Sequence, residues 1–303
     1  MIVICGLHRS GTTYVGEILK KAGVMVVHEP LNQHWGVKDI PMAYPYAEYL
    51  DDNQAPLIKD VVAMNRPWNN DISRHRGKCW EKIAFGITGG RSGLLWSALR
   101  MRKSLGLPCK RICFKDPFMS LATPWLAEHA LCRIVCMVRH PAAVFYSTEK
   151  QDWYFDVKNL RQQTMLVERY GQDITADNWT MAEKHGAASI ALLWKLMWNI
   201  NSQLAAREER LKIITHESLC VRPIEEVQII CDHFDVHFSS EVETFVLTHS
   251  EGDKTEAKRG ITHDFKRYSR GIPDSWRGKI KEDDESIIKE IVGKEVIALY
   301  GDW

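Results

Sequence analysis

Apolar residues occur along this chain as short continuous runs, separated by longer stretches in which they recur every three or four positions. Ile2–Cys5 is such a run, Thr12–Lys21 has the helical period and Val24–Val27 is a second run, so the chain opens as a βαβ unit. Further runs predict strands at Arg111–Phe114, Arg133–Val138 and Leu211–Ile214. Helices are expected around 91–104, after Pro141, over Pro223–Phe234 behind a polar His216-Glu217-Ser218 segment, and from about Asp284 to Tyr300. Pro141 suits a first helical turn, where its missing N–H has no partner to lose. Ile190, Leu193, Trp194, Met197 and Asn201 mark one face of a long helix. Continuous rather than alternating strands, interleaved with helices, imply a parallel sheet covered on both faces. The expected fold class is α/β, a three-layer sandwich with a central parallel sheet.

Between these elements the pattern weakens. Residues 29–78 and 151–179 read as loops and short helices, and Ser250–Ser275 is polar with Gly252, Gly260 and Gly271. The organisation expected is one domain over 1–303, with insertions around 29–90 and 151–180.

Composition narrows the function classes. Forty Lys and Arg against thirty-nine Asp and Glu leave a net charge of +1, which provides no global field for nucleic acid or an anionic membrane. Anion binding must therefore be local. No apolar run is long enough to span a bilayer, and Met1 leads directly into a strand, so a cytoplasmic protein is expected. The eight cysteines form no CxxC pair, and Cys5, Cys113, Cys132 and Cys136 fall in or beside apolar runs, which suits reduced structural thiols. His233 and His237 have i,i+4 spacing, but no HExxH motif accompanies them and no metal is expected.

The chemistry concentrates between the first strand and the first helix. Gly6-Leu7-His8-Arg9-Ser10-Gly11-Thr12-Thr13 has the spacing of a phosphate-binding loop, where backbone N–H groups and a helix N-terminus converge on an anion. The nucleotide-triphosphatase version ends in Gly-Lys-Ser/Thr, whereas Thr12 occupies the lysine position here and Arg9 supplies a cation from inside the loop. The fourth strand runs into Arg139-His140-Pro141, without an acidic residue placed to hold magnesium. A metal-free phosphate site is the better fit.

Several segments, in order, resemble the family of sulfotransferases dependent on 3′-phosphoadenosine 5′-phosphosulfate (PAPS). Arg9-Ser10-Gly11-Thr12-Thr13 resembles its 5′-phosphosulfate loop, and Arg133 through Ser147 resembles its 3′-phosphate segment, which assigns that phosphate to Arg139 and Ser147. Phe114-Lys115-Asp116-Pro117, His216-Glu217-Ser218-Leu219 and Trp276-Arg277 match further landmarks less specifically. His28-Glu29-Pro30-Leu31-Asn32 resembles the Glu-Pro-Leu element of carbohydrate and bacterial members, which implies Glu29 as catalytic base with His28 as its rival. A base is required because an attacking alcohol must lose its proton as the new S–O bond forms. Steroid- and phenol-directed members use a histidine after a Lys-Thr element, where this chain has Lys115-Asp116-Pro117.

The resemblance thus implies a P-loop fold of nucleoside triphosphate hydrolase-like topology and sulfuryl transfer from PAPS to an acceptor hydroxyl. Arg9, the loop amides and Lys115 would stabilise charge on the leaving 5′-phosphate, with 3′-phosphoadenosine 5′-phosphate (PAP) as product. For the basic stretch 252–271, with Lys254, Lys258, Arg259, Lys266, Arg267 and Arg270, the resemblance implies a segment that closes over the nucleotide, within a covering stretch 250–275, while composition alone reads most of these charges as a solvated face. Trp35, six residues beyond Glu29, leans the acceptor toward carbohydrate, with a lipid, a peptide tyrosine or a small alcohol as the other candidates. A P-loop kinase and a non-catalytic nucleotide-binding module are the competing readings. The first requires magnesium and a loop lysine, and the second requires no base.

Overall fold

The structure, a computed structural model, describes residues 1–69, 93–107, 111–250 and 269–303. Five strands, β1 (Ile2–Gly6), β2 (Met25–His28), β3 (Ile112–Lys115), β4 (Arg133–Val138) and β5 (Leu211–Thr215), form one parallel sheet in the order β2-β3-β1-β4-β5.

Successive strand side chains point to opposite faces, and both faces here are apolar. Val3 and Cys5 join Val27, Phe114, Ile134 and Cys136 in one core. Ile2 and Ile4 join Val26, Cys113, Val135 and Met137 in the other. This two-sided burial explains why the strands read as continuous apolar runs. The second core is covered by α1 (Thr12–Lys21), through Val15, Ile18 and Leu19, together with helices Pro223–Phe234 and Ser240–Ser250. The first is covered by α2 (Ala55–Val62), α3 (Gly93–Ser104), α4 (Thr123–Glu128), α5 (Pro141–Glu149), the long helix Gly186–Ala205 and the last helix, Glu282–Tyr300. The result is the three-layer α/β sandwich, with the phosphate-type loop after its central strand.

The connections leaving β1 and β4 run to opposite faces and opposite edges of the sheet. Between two such strands the loops diverge and open a crevice beyond their carboxyl ends, the usual place for a ligand in an open α/β sheet.

Several boundaries differ from the sequence expectation. The second and third strands each end one residue later, at His28 and Lys115, which stand opposite one another in the register. Pairing with a neighbouring strand extends β-structure past the last apolar residue, a contribution that side-chain pattern does not carry. His216–Val221 is a separate helix, its Thr215 cap accepting from the Ser218 amide. The stretch after Gln151 contains short helices at Lys158–Arg161, Thr164–Tyr170 and Ala176–Ala182. Pro223–Phe234 stops at Asp235, which is left-handed at φ 52°, so His233 and His237 do not share a helical face. His233 Nε2 instead approaches the carbonyls of Ile134 and Arg210 at 3.0 and 3.1 Å. Residues 251–268, carrying Lys254, Lys258, Arg259, Lys266 and Arg267, lie outside the described residues, as does 70–92 of the first insertion.

Candidate active site

The loop after β1 is shaped by its glycines. Gly6 has φ 127°, and a Cβ there would sit 2.1 Å from the Met137 carbonyl oxygen, so only glycine lets the loop pass this close to β4. Arg9 is also left-handed, at φ 70°, as is Gly11 at 98°. Ser10 is buried and donates both its amide, at 3.2 Å, and its hydroxyl, at 2.6 Å, to the Leu7 carbonyl. Ser10 therefore shapes the loop, and the donors left for an anion come after it. No side chain caps Gly11 at the start of α1, and the amides of Thr12 and Thr13 open that helix, where a helix has no internal acceptors.

Arg9 joins the loop to the segment after β4. Its Nε donates to Ser147 Oγ at 2.8 Å across 138 residues of sequence, and its carbonyl accepts from Arg139 Nη1 at 2.9 Å. The phosphate-site candidates Arg9, Arg139 and Ser147 thus meet in the crevice between β1 and β4. Arg139 is buried, unlike a surface ion-pairing arginine, and its carbonyl accepts from Trp194 Nε1 at 2.8 Å. The neighbouring His140 amide donates to Glu217 Oε1 at 2.9 Å, and Tyr300 donates to Glu217 Oε2 at 3.0 Å. Burial raises the Glu217 carboxyl above its ordinary value against the pull of these donors and of Arg139. The His140 ring stacks on Trp276 at 4.6 Å and meets Trp303 edge-on at 5.0 Å. Burial first, then Arg277 and Arg139, lowers it to about 3, so it is a neutral packing group.

A second cluster forms where β2 and β3 end. Lys115 Nζ lies 2.6 Å from Glu29 Oε1, with side chains only 3% and 18% exposed. Asn32 Nδ2 donates to the other oxygen of Glu29 at 3.0 Å. Burial pushes the Glu29 carboxyl up, but Lys115, His8 and Asn32 outweigh it and hold it at about 2. The backbone at Glu29 is left-handed, φ 51°, and its amide donates to the Lys115 carbonyl at 2.8 Å. Asp116, buried, holds the turn by accepting from the Leu31 and Phe118 amides at 2.7 and 2.9 Å. Burial, with Glu29 adding to it, pushes Asp116 up to about 8 despite these donors. His28, the rival base, lies instead 4.0 Å from Glu17 on α1.

His8 lies between the two clusters. Its Nδ1 is 2.6 Å from the hydroxyl of buried Tyr44, and Phe118 and Trp153 meet its ring edge-on at 4.7 and 6.0 Å. Trp153 also lies 5.7 Å from the Arg9 guanidinium and is 41% exposed, as is Trp35. Tyr44, Asp116, Asn32 and Trp194 carried no sequence signal as site residues, although Asn32 and Asp116 stood inside recognised segments. Among the described residues no group of three His, Cys, Asp or Glu side chains forms a metal-binding cluster, and no helix is long and apolar enough to cross a membrane.

A parallel sheet of this order, with a glycine-bounded loop between its central strand and α1 and the buried Arg139 at the crevice, defines an α/β protein of the P-loop type. Residues 2–240 match the Sulfotransferase family, and the chain belongs to that family. No curated protein sequence gives a significant match. Among solved structures, the sulfotransferase domain from the curacin biosynthetic pathway is similar at 14% identity and a TM-score of 0.47, covering 97% of this chain and 96% of that one. Sulfotransferase STF9 from Mycobacterium avium is similar at 10% identity and a TM-score of 0.42, over 98% of this chain and 76% of that one. A retinol dehydratase, solved in complex with androsterone and inactive cofactor PAP, is similar at 14% identity and 0.43, over 97% and 80%. With these scores below 0.5, family membership rests on the sequence match.

Proposed function

We propose that this sulfotransferase takes its sulfuryl group from PAPS and passes it to an acceptor hydroxyl, on a carbohydrate or a lipid, in the cytoplasm. The observation that carries the reading is the convergence of Arg9, Ser147 and Arg139 beside the loop that opens α1. Two guanidinium groups, a hydroxyl and a helix start suit a ligand with phosphates at two positions. The six cysteines among the described residues are buried and form no disulfide, which suits a reducing compartment. Exposed Trp35 and Trp153 offer the flat apolar faces on which a sugar ring stacks.

PAPS supplies the sulfuryl group, and the chain's residues supply position and charge. Arg9 and the amides of Thr12 and Thr13 neutralise the 5′-phosphate end, while Arg139 and Ser147 take the 3′-phosphate. Glu29 accepts the proton of the attacking hydroxyl. In the resting site Lys115 holds Glu29 ionised but weakly basic. As negative charge builds opposite Lys115, its hold on Glu29 loosens and Glu29 becomes the stronger base.

Calorimetric titration with PAP in the absence of magnesium, beside ATP with and without magnesium, tests this reading. PAP binding that Arg139→Ala weakens is the expected result. Magnesium-dependent binding of ATP with no binding of PAP would overturn the PAPS assignment.

A further inference from the structure

We propose that His8 is a further substrate-contacting residue, whose Nε2–H, fixed in tautomer and direction by Tyr44, donates a hydrogen bond to the sulfuryl group being transferred. The inference rests on the PAPS reading above.

It begins with a buried phenol. Tyr44 is 3% exposed, and the one side-chain partner of its hydroxyl among the described residues is His8 Nδ1, at 2.6 Å. If Nδ1 carried the proton, the phenolic hydrogen would be buried without an acceptor, at the full cost of its desolvation. Tyr44 therefore donates, Nδ1 accepts, and in the neutral ring the proton sits on Nε2. Burial, aided by Lys115 and Arg9 and opposed by Glu29, lowers the imidazole to about 4, so it is neutral at pH 7. Phe118, Trp153 and Tyr44 all meet the ring edge-on and hold its plane.

Nε2 makes no hydrogen bond to any described residue, so its proton is available to a ligand. The position of His8 indicates which part of the ligand that is. His8 precedes Arg9 in the loop, and Glu29, Lys115 and Arg9 are the charges that act on it. With the 5′-phosphate at the start of α1, the part of the donor that reaches toward Glu29 is the sulfuryl group. A neutral donor there stabilises charge spreading over the sulfuryl oxygens. In the transfer itself, the acceptor O–S bond forms, the S–O bond to the 5′-phosphate breaks, and the acceptor proton goes to Glu29. His8 keeps its proton throughout.

PAP lacks the sulfuryl group and PAPS has it, so the pair isolates the contact without an acceptor. His8→Phe keeps the aromatic wall and removes the donor. Calorimetry should find PAPS bound about tenfold more weakly and PAP within about twofold of the unaltered protein. His8→Gln, which restores an amide donor, should recover part of the loss. Equal effects on PAP and PAPS, or no effect on PAPS, would refute the contact. If His8→Phe does not fold, the imidazole ¹⁵N shifts of the unaltered protein decide the matter. A neutral Nε2–H tautomer at pH 7 that becomes mixed in Tyr44→Phe supports the proposal, and an Nδ1–H tautomer overturns it. If the unaltered protein binds neither PAP nor PAPS, the PAPS reading itself fails and the contact with it. Normal PAP binding with an unaffected His8→Phe removes the contact alone.

Discussion

Replacing Lys115 with methionine keeps a long side chain in a nearly closed space and removes its charge. Glu29 would then be left 18% exposed, with Asn32 Nδ2 at 3.0 Å as its remaining side-chain donor. Against burial, Lys115, His8 and Asn32, with Lys115 the strongest of the three, hold Glu29 at about 2 against an ordinary 4.5, a difference that at about 1.36 kcal/mol per pH unit amounts to about 3 kcal/mol. Removing one partner of a buried pair has a cost of the same order. Lys115→Met should therefore lose about 3 kcal/mol at pH 7 in chemical denaturation, and the further change Glu29→Gln should restore most of it, since no charge is then left unpaired. The pH dependence has a definite sign. A carboxyl whose folded value is depressed stabilises the protein above its unfolded value of 4.5 and loses that contribution as pH falls toward 2. Without Lys115, burial raises Glu29 instead, so acid relieves the variant. The deficit should accordingly narrow steadily between about pH 5 and pH 3. A deficit below about 1 kcal/mol at pH 7, or one that is unchanged at pH 3.5, would refute this account of the pair. Glu29→Gln alone should abolish most turnover while PAP affinity stays close to normal; a parallel loss of PAP binding would make Glu29 a structural residue.

The loop and the C-terminal helix give further expectations. Arg9→Ala removes the cation proposed to face the leaving phosphate and should lower turnover by about two orders of magnitude in a PAPS-dependent assay, with near-normal turnover counting against its assignment. Gly6→Ala places a Cβ against the Met137 carbonyl in a left-handed backbone, and should cost about 3 kcal/mol of stability together with PAP binding. Tyr300→Phe removes one donor from half-buried Glu217, and denaturation should register a loss of about 1 to 2 kcal/mol. Because Glu217 holds the His140 amide, the same change should also weaken PAP binding several-fold, and an unchanged PAP affinity would uncouple this helix from the Arg139 segment.

What the sequence determined is what depends on near neighbours. The continuous apolar runs forced two-sided burial, and two-sided burial of parallel strands is the three-layer sandwich. The glycine-bounded loop Gly6 through Thr13 was legible because glycine placement and a following helix are local facts, and Arg139 through Ser147 was legible because a strand end, a proline and a helix follow one another directly. The tertiary structure decided which of these distant pieces touch. Arg9 meets Ser147, Lys115 pairs with Glu29, and His8 Nδ1 meets the Tyr44 hydroxyl across separations of 138, 86 and 36 residues. Such contacts depend on strand order, on register and on which face of the sheet each connection crosses, and residue periodicity carries none of that information. Glu29 was visible as a candidate base from its motif. That it rests in an ion pair, ionised and weakly basic, follows only from β2 and β3 ending side by side, with Lys115 brought within 2.6 Å of its carboxylate.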